Sequence, residues 1–407
     1  MKTELIVPVS ENERISSLDL LRGFAVLGIL IMNIQSFSMI NSAYINPDSF
    51  GDLTGINKWG WMLSHTFADL KFMGLFTLLF GAGIVLFSEK AREKGVKSGP
   101  LHYRRTLWLL FFGLIHAYLL WRGDILVSYA LCALIIYLYH RMKPKTLLIL
   151  GLISIFIGFL IPFLSGMSIP YWPPEAIENS MLSWRPTQEA IQSELAAYQG
   201  NWINSLKFRA ISSIFMQTFL FLYEFAWRTG GIMLLGMALF KWGVFSAEKS
   251  KRFYFLMMLL GFVIGLPLII YGMIKNFNAG WSLEYSMFHG AMFNYWGSIL
   301  VSLAYVAITM LWEKNGRDCL PKKLLKNVGR MAFSNYFLQT IICVFIFHSF
   351  GLKLYGMLDR WQQILIVPGV WTINILFSYF WLRRFRFGPM EWLWRSLTYW
   401  KRQPMKI

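Results

Sequence analysis

WMLSHTFADLKFMGLFTLLFGAGIVLF, residues 61–87, is the stretch that decides the reading of this chain. It is apolar for long enough to cross a bilayer, whose hydrocarbon core of about 30 Å needs about 20 residues of helix. Yet it carries His65, Asp69 and Lys71. Burying an ionisable group in hydrocarbon costs at least about 2.5–3.5 kcal/mol even on lenient insertion scales. A span holding several of them therefore lines a cavity, pairs them internally, or does chemistry with them. His65 and Asp69 are four apart and share a helix face, where a carboxylate can orient and charge a histidine as a general base. A packing hydrogen bond is the alternative. Lys71, two residues on, is expected to point elsewhere.

Outward from that stretch the chain keeps the same character. It has 407 residues, 56% apolar, 17% aromatic and only 15% charged, too apolar for a soluble domain of this size. We read an all-α, polytopic integral membrane protein of about ten spans: roughly 18–40, 61–87, 104–121, 124–140, 146–165, 210–242, 253–274, 288–312, 329–350 and 362–382. The net charge of +18 does not indicate nucleic acid, because the cations cluster in alternate loops: 88–105, 140–145, 241–252, 313–330 and the tail from Arg383. By the positive-inside rule both termini are then cytoplasmic. The apolar run after the polar N-terminus is too long for a signal peptide and reads as a retained span. Cys132, Cys319 and Cys343 lack metal spacing, and no metal or disulfide framework is expected.

The chain divides into the first five spans (1–165), an extracytoplasmic loop (166–209) and five more spans with an amphipathic C-terminal helix (210–407). The loop, rich in Trp and Pro, is a connector or a lid, with a short helix over Thr187 to Tyr198. Residues 208–242 are too long for one straight span, about 52 Å. We keep one span, projecting outward or broken near Gly230-Gly231. Pro389 and the following Trp and cationic residues predict a helix lying in the inner interface as an anchor.

Further polar residues mark candidate sites. Asp19 and Arg22 pair at the inner edge of span one, or Arg22 meets an anionic ligand; Asn33 and Gln35 lie further along the same helix. Arg104 and Arg105 open span three, and His116 lies about 18 Å beyond Arg104. The tight turn Arg122-Gly123-Asp124 brings Asp124 towards His116. Glu224 and Arg228, four apart, read as an intramembrane ion pair. Span nine carries Arg330 at its inner edge, Asn335 and Gln339 on one face, and His348 near the outer end. Such a ladder is a ligand path or a helix-packing seam.

Leu18-Asp19-Leu20-Leu21-Arg22-Gly23-Phe24-Ala25, Phe80-Gly81-Ala82-Gly83, Gly113-Leu114-Ile115-His116 with Gly123-Asp124-Ile125-Leu126, the Gly329 to Gln339 stretch, and Gly388-Pro389-Met390-Glu391-Trp392-Leu393-Trp394-Arg395 resemble the YeiB family, the domain of unknown function 418. The resemblance covers nearly the whole chain and implies a bacterial plasma-membrane protein. More distantly the chain is similar to transmembrane acyltransferases such as the lysosomal heparan-α-glucosaminide acetyltransferase, on the triplet Ala68-Asp69-Leu70 among others. Those move an acyl group from cytoplasmic acyl-CoA to an acceptor across the membrane.

That resemblance implies acyl-CoA as co-substrate, with Arg22, Arg104, Arg105 and Arg330 holding its phosphates. His116 or His65 would act as base, oriented by Asp124 or Asp69. Asn33, Lys71, Asn335 and Gln339 would contact substrate, Asn335 or Gln339 as an oxyanion donor. The other expectations are a secondary transporter and a non-catalytic lipid-binding protein. Membrane lipids and an acceptor of unassigned chemistry are the expected partners, nucleic acid is not, and a homo-oligomer is compatible with the sequence.

Overall fold

The computed structural model describes residues 14–317 and 319–407; the polar segment before Arg14 lies outside them. The first half runs α1 (Ser16–Ser38), α2 (Asn41–Ile45), α3 (Gly55–Phe67), α4 (Lys71–Glu93), α5 (Ser98–Ile115), α6 (Leu126–Ile136) and α7 (Pro144–Ser168). The extramembrane segment holds α8 (Pro174–Trp184) and α9 (Gln188–Gln199). The second half runs α10 (Trp202–Phe215), α11 (Ala226–Lys241), α12 (Lys251–Asn278), α13 (Ala291–Lys314), α14 (Leu320–Arg330), α15 (Ala332–Phe347), α16 (Arg360–Trp381) and α17 (Pro389–Tyr399). Among the described residues there is no β-strand.

By length and composition seven helices can cross a membrane, or eight if α14 and α15 count as one broken span. Two of the ten expected spans fall short of that standard. α5, from Ser98, carries His102, Arg104 and Arg105 in its first half, and α6 has only 11 residues of α-helix. Burial sorts the others. The best apolar window of α1 is 72% buried, whereas that of α12 is 22% buried, so α1 is core and α12 turns most of its apolar surface outward. That outward surface is explained by lipid contact, not by packing.

Close backbone approaches set the crossings. A side chain at Gly81 would overlap the Met233 carbonyl, and one at Gly236 would overlap the Leu78 carbonyl, so α4 and α11 cross where neither carries a Cβ. Gly23 and Gly329 do the same for α1 and α14, against the carbonyls of Leu325 and Asp19. Small residues that let helix backbones touch are the ordinary means of packing where the surroundings are as apolar as the side chains.

Three expected helices differ in detail. Residues 61–87 form two helices, joined at Ala68-Asp69-Leu70, with Leu70 in the left-handed region at φ 62°. Span nine is not continuous: α14 and α15 meet at 86°, breaking at Met331. The break is stable because the exposed backbone groups at both ends find partners. Asn335 donates to the Val328 carbonyl, and Glu391 of α17 accepts from the N–H groups of Phe333 and Ser334. The run Trp202–Lys241 is one helical stretch of 40 residues, and its irregularity is a π-helical segment over Met216–Phe225. Gly230 and Gly231 lie inside α11, where Gly231 meets Gly151 of α7. They are a packing contact, not a break.

The long loop is docked. Thr187 caps α9 by accepting from the Ala190 N–H, and Trp184 is buried, its Nε1 donating to the Trp281 carbonyl at 2.7 Å. Glu194 accepts from Arg122, Tyr355 and the Asn41 N–H, which ties α9 to the end of the bundle where α1 finishes.

Candidate functional site

A cavity of about 340 Å³ opens at the opposite end of the bundle, between α1, α4, α5, the α14–α15 break and α17. Its rim carries Arg14, Arg22, Lys90, Arg105, Arg330 and Arg395, with the carboxylates of Asp19 and Glu391 among them. Asp19 holds Arg22 at 3.0 Å, the i,i+3 pairing that the spacing predicts. Arg105 lies between two rings, 5.0 Å from the Phe87 centroid and 4.3 Å from that of Trp394. Trp394 Nε1 in turn donates to the Arg105 carbonyl at 2.8 Å. Flat contact with aromatic rings orients the guanidinium while leaving its N–H edge available.

The C-terminal helix therefore forms part of the wall, which corrects its expected role as an anchor alone. Glu391 fixes it in place: Oε1 accepts from Phe333 N at 2.7 Å and Ser334 N at 3.2 Å, and Oε2 takes the Ser334 hydroxyl. Burial pushes the Glu391 carboxyl up from its ordinary range, and these donors pull it part of the way back. One turn on, Arg395 reaches the rim, its guanidinium 4.7 Å from the Phe387 ring. Burial lowers its pKa from the usual arginine value.

Inward, the wall turns apolar and aromatic, through Leu79, Phe80 and Phe333 to a floor at Phe76, Tyr129 and Tyr336. Tyr129 is held there by the Thr77 hydroxyl at 2.8 Å and by donation to the Met73 carbonyl at 3.0 Å. Phe76 and Lys90 lie at opposite ends of the α4 wall, about 21 Å apart along the helix. Cations at the entrance and hydrocarbon beyond suit an anion with a long, weakly polar arm.

The two predicted His–Asp pairs both form, in different places. His116 Nδ1 lies 2.9 Å from Asp124 Oδ1, its Nε2 is 2.9 Å from the Thr340 hydroxyl, and both side chains are fully buried. Asp124 also accepts from Val127 N at the start of α6. The pair stands one side chain behind the cavity floor, the His116 ring 4.8 Å from that of Tyr336. Neither His116 nor Asp124 lines the cavity.

His65 Nδ1 lies 3.0 Å from Asp69 Oδ2, with each side chain 12–13% exposed, and the ring stacks on Trp61 at 4.7 Å. Its Nε2 has no hydrogen-bond partner among the described residues. Lys71 does not point elsewhere. It is fully buried and donates to the His65 carbonyl and to Asn294 Oδ1, each at 2.6 Å, while Asn294 Nδ2 donates to Asp69 at 2.8 Å. Asn294 thus bridges the two opposite charges. Lys71 opens α4 five residues before Phe76, about 7.5 Å along the helix from the floor, and His65, Asp69 and Lys71 do not line the cavity.

Of the other expected contacts, Arg22, Arg105 and Arg330 reach the rim, but Arg104 faces Trp400 at 5.8 Å. Asn33 is half-buried and does not line the cavity. The Asn335 side chain is engaged by Val328, Ser378 and Asn374, and Gln339 donates to the Val26 carbonyl. Both amides bind helices together, away from the cavity lining. Arg228 turns to Ser298 at 2.8 Å and to the Tyr295 ring. Glu224 lies in the π-helical segment Met216–Phe225, and among the described residues no ion pair within 4 Å joins it to Arg228.

Sequence reasoning missed Lys90, Tyr129, Asn294, Tyr336 and Arg395 as parts of these sites. Glu391 and Arg395, four apart on a helix, carried the one signal that could have placed α17 at the cavity.

Comparison with known proteins gives a consistent result. The family model described as "Protein of unknown function (DUF418)" matches residues 239–401. The chain is 33% identical over 395 residues to the uncharacterized protein YeiB of Escherichia coli K12, covering 95% of this chain and 96% of that protein. It is 34% identical over 422 residues to the uncharacterized protein YxaH of Bacillus subtilis 168, covering 98% and 97%. A 39.9 kDa protein of Bacillus acidopullulyticus is 27% identical over 403 residues.

Proposed function

The chain belongs to the DUF418 family of YeiB-like proteins, and from that premise we propose that it is a transmembrane acyltransferase taking acyl-CoA at its basic face. The cavity carries the proposal: a ring of cations leads into an apolar, aromatic shaft that stops near the middle of the bundle. The CoA phosphates meet Arg22, Arg105, Arg330 and Arg395 in charge-assisted hydrogen bonds. The pantetheine arm follows α4 and carries the thioester towards Tyr129 and Tyr336.

We place that rim in the cytoplasm of a bacterial plasma membrane, with both termini on the same side. It adjoins the basic segments 88–105 and 313–330, so the positive-inside rule supports this orientation. The ten-span count follows if α5 and α6 cross as a pair packed against each other, with the bent α14–α15 unit counted once.

The acceptor approaches from the other face, an alcohol or amine whose proton passes to His65 as its oxygen or nitrogen attacks the thioester carbon. The C–S bond breaks, the new ester or amide forms, and CoA leaves as the thiol after taking a proton. His65 is favoured over His116 as base because its Nε2 has no hydrogen-bond partner among the described residues and its side chain, unlike that of His116, is not fully buried.

Purified protein in nanodiscs should bind acetyl-CoA or a longer acyl-CoA saturably. Arg22→Ala and Arg105→Ala should each weaken that binding about 10- to 100-fold, the value of a charge-assisted hydrogen bond. No binding by any acyl-CoA would overturn the reading and favour a secondary transporter, tested next by solute counterflow.

A further inference from the structure

We propose that Gly83 is the gauge of the cavity: its missing side chain lets a linear arm pass from the basic rim to the aromatic floor. This deepens the acyl-CoA reading and rests on it for the identity of the arm. α4 carries three glycines, and packing explains the other two directly. Gly81 abuts the Met233 carbonyl, and a Cβ at Gly74 would press on the Ser302 hydroxyl. Gly83 is different. A Cβ built there meets no atom within 4 Å, although the residue lies in the middle of a helix and on the cavity wall.

Mid-helix glycine is disfavoured relative to alanine, so packing gives no reason for one here. Passage does. Phe76 and Lys90 mark the floor and rim ends of the α4 wall, and Gly83 sits seven residues from each, about 10 Å either way. A large side chain at this point projects into the shaft halfway down. The rim cations lie on one side of the obstruction, and Tyr129 and Tyr336 lie on the other. The ligand class that follows is an anionic phosphate head on an unbranched arm. Coenzyme A with its pantetheine, and a phospholipid with its tail, both have that form.

The test uses the full-length protein in nanodiscs, as wild type, Gly83→Ala, Gly83→Leu and Gly83→Phe. Coenzyme A, palmitoyl-CoA and phosphatidic acid are the arm-bearing probes, and adenosine 3′,5′-bisphosphate is a head without an arm. Affinity for the arm-bearing probe should fall in steps with side-chain size, at least about tenfold in Gly83→Phe, while Gly83→Ala stays near wild type. Binding of the bisphosphate should stay within about twofold throughout, which reports that the rim is still folded. Loss for coenzyme A and its thioester supports the proposal with pantetheine as the arm. Loss for phosphatidic acid alone supports it with a lipid tail and overturns only the acyl-CoA reading. Gly83→Phe binding every probe as tightly as wild type overturns the proposal, and a wild type that binds none of the three overturns both.

Discussion

The molecule holds two His–Asp pairs that are alike in distance and unlike in setting. His116–Asp124 and His65–Asp69 are separated by 2.9 and 3.0 Å. In the first, both ring nitrogens face a partner and nothing is exposed. In the second, Nε2 has no hydrogen-bond partner among the described residues, each side chain is 12–13% exposed, and the carboxylate is joined through Asn294 to a buried lysine. A histidine can take a proton from an acceptor only if a nitrogen can reach it. On the proposed reaction, the first pair ties helices together and the second holds the base.

Exchanging the histidines tests that distinction most sharply. If the proposed acyl transfer is the reaction, His65→Ala should cut it by about 10²–10⁴-fold, the usual contribution of a positioned general base. Its thermal unfolding should move less than that of His116→Ala, because Asp69 keeps the hydrogen bond donated by Asn294. CoA release assayed with folded, acyl-CoA-binding protein is the measurement. Undiminished turnover would remove His65 from the reaction.

His116→Ala should do the reverse. Removing one partner of a buried pair leaves the other uncompensated and costs about 3–5 kcal/mol of stability. Asp124 would keep only its bond from Val127 N, so the α5–α6 turn should loosen. Detergent-solubilised protein should unfold at a clearly lower temperature, and turnover per folded molecule should remain near wild type. A stable His116→Ala protein without activity would reverse the roles of the two pairs.

How much of this contrast was legible in the sequence depends on the separation of the partners. Local features were readable: the Asp19–Arg22 pair, the His65–Asp69 spacing, and a helix capped by Thr187 all involve residues within four positions. The His116–Asp124 approach could be anticipated because only a tight turn lies between them. What could not be read was long-range. Asn294 meets Asp69 across 225 residues, and the Glu391 carboxylate stabilises a helix start that nothing nearby announces. The break at Met331 has neither Gly nor Pro at its centre, so an apolar run with helical periodicity concealed a right-angled turn. The cavity is likewise a product of assembly, since its wall comes from both ends of the chain.

The smallest change probes the closed pair without dismantling it. Thr340→Val keeps the shape of the side chain and removes the hydroxyl that lies 2.9 Å from His116 Nε2 and also donates to the Tyr336 carbonyl. One neutral hydrogen bond contributes about 0.5–1.5 kcal/mol, and leaving a buried ring nitrogen unsatisfied adds to the loss. Unfolding should therefore shift by about 1–2 kcal/mol, well short of His116→Ala. The double variant Thr340→Val/His116→Ala should be scarcely less stable than His116→Ala alone, because the hydroxyl then has no imidazole to meet. Additive losses would mean that Thr340 acts on α15 through its own backbone bond, and that His116 is held by Asp124 alone.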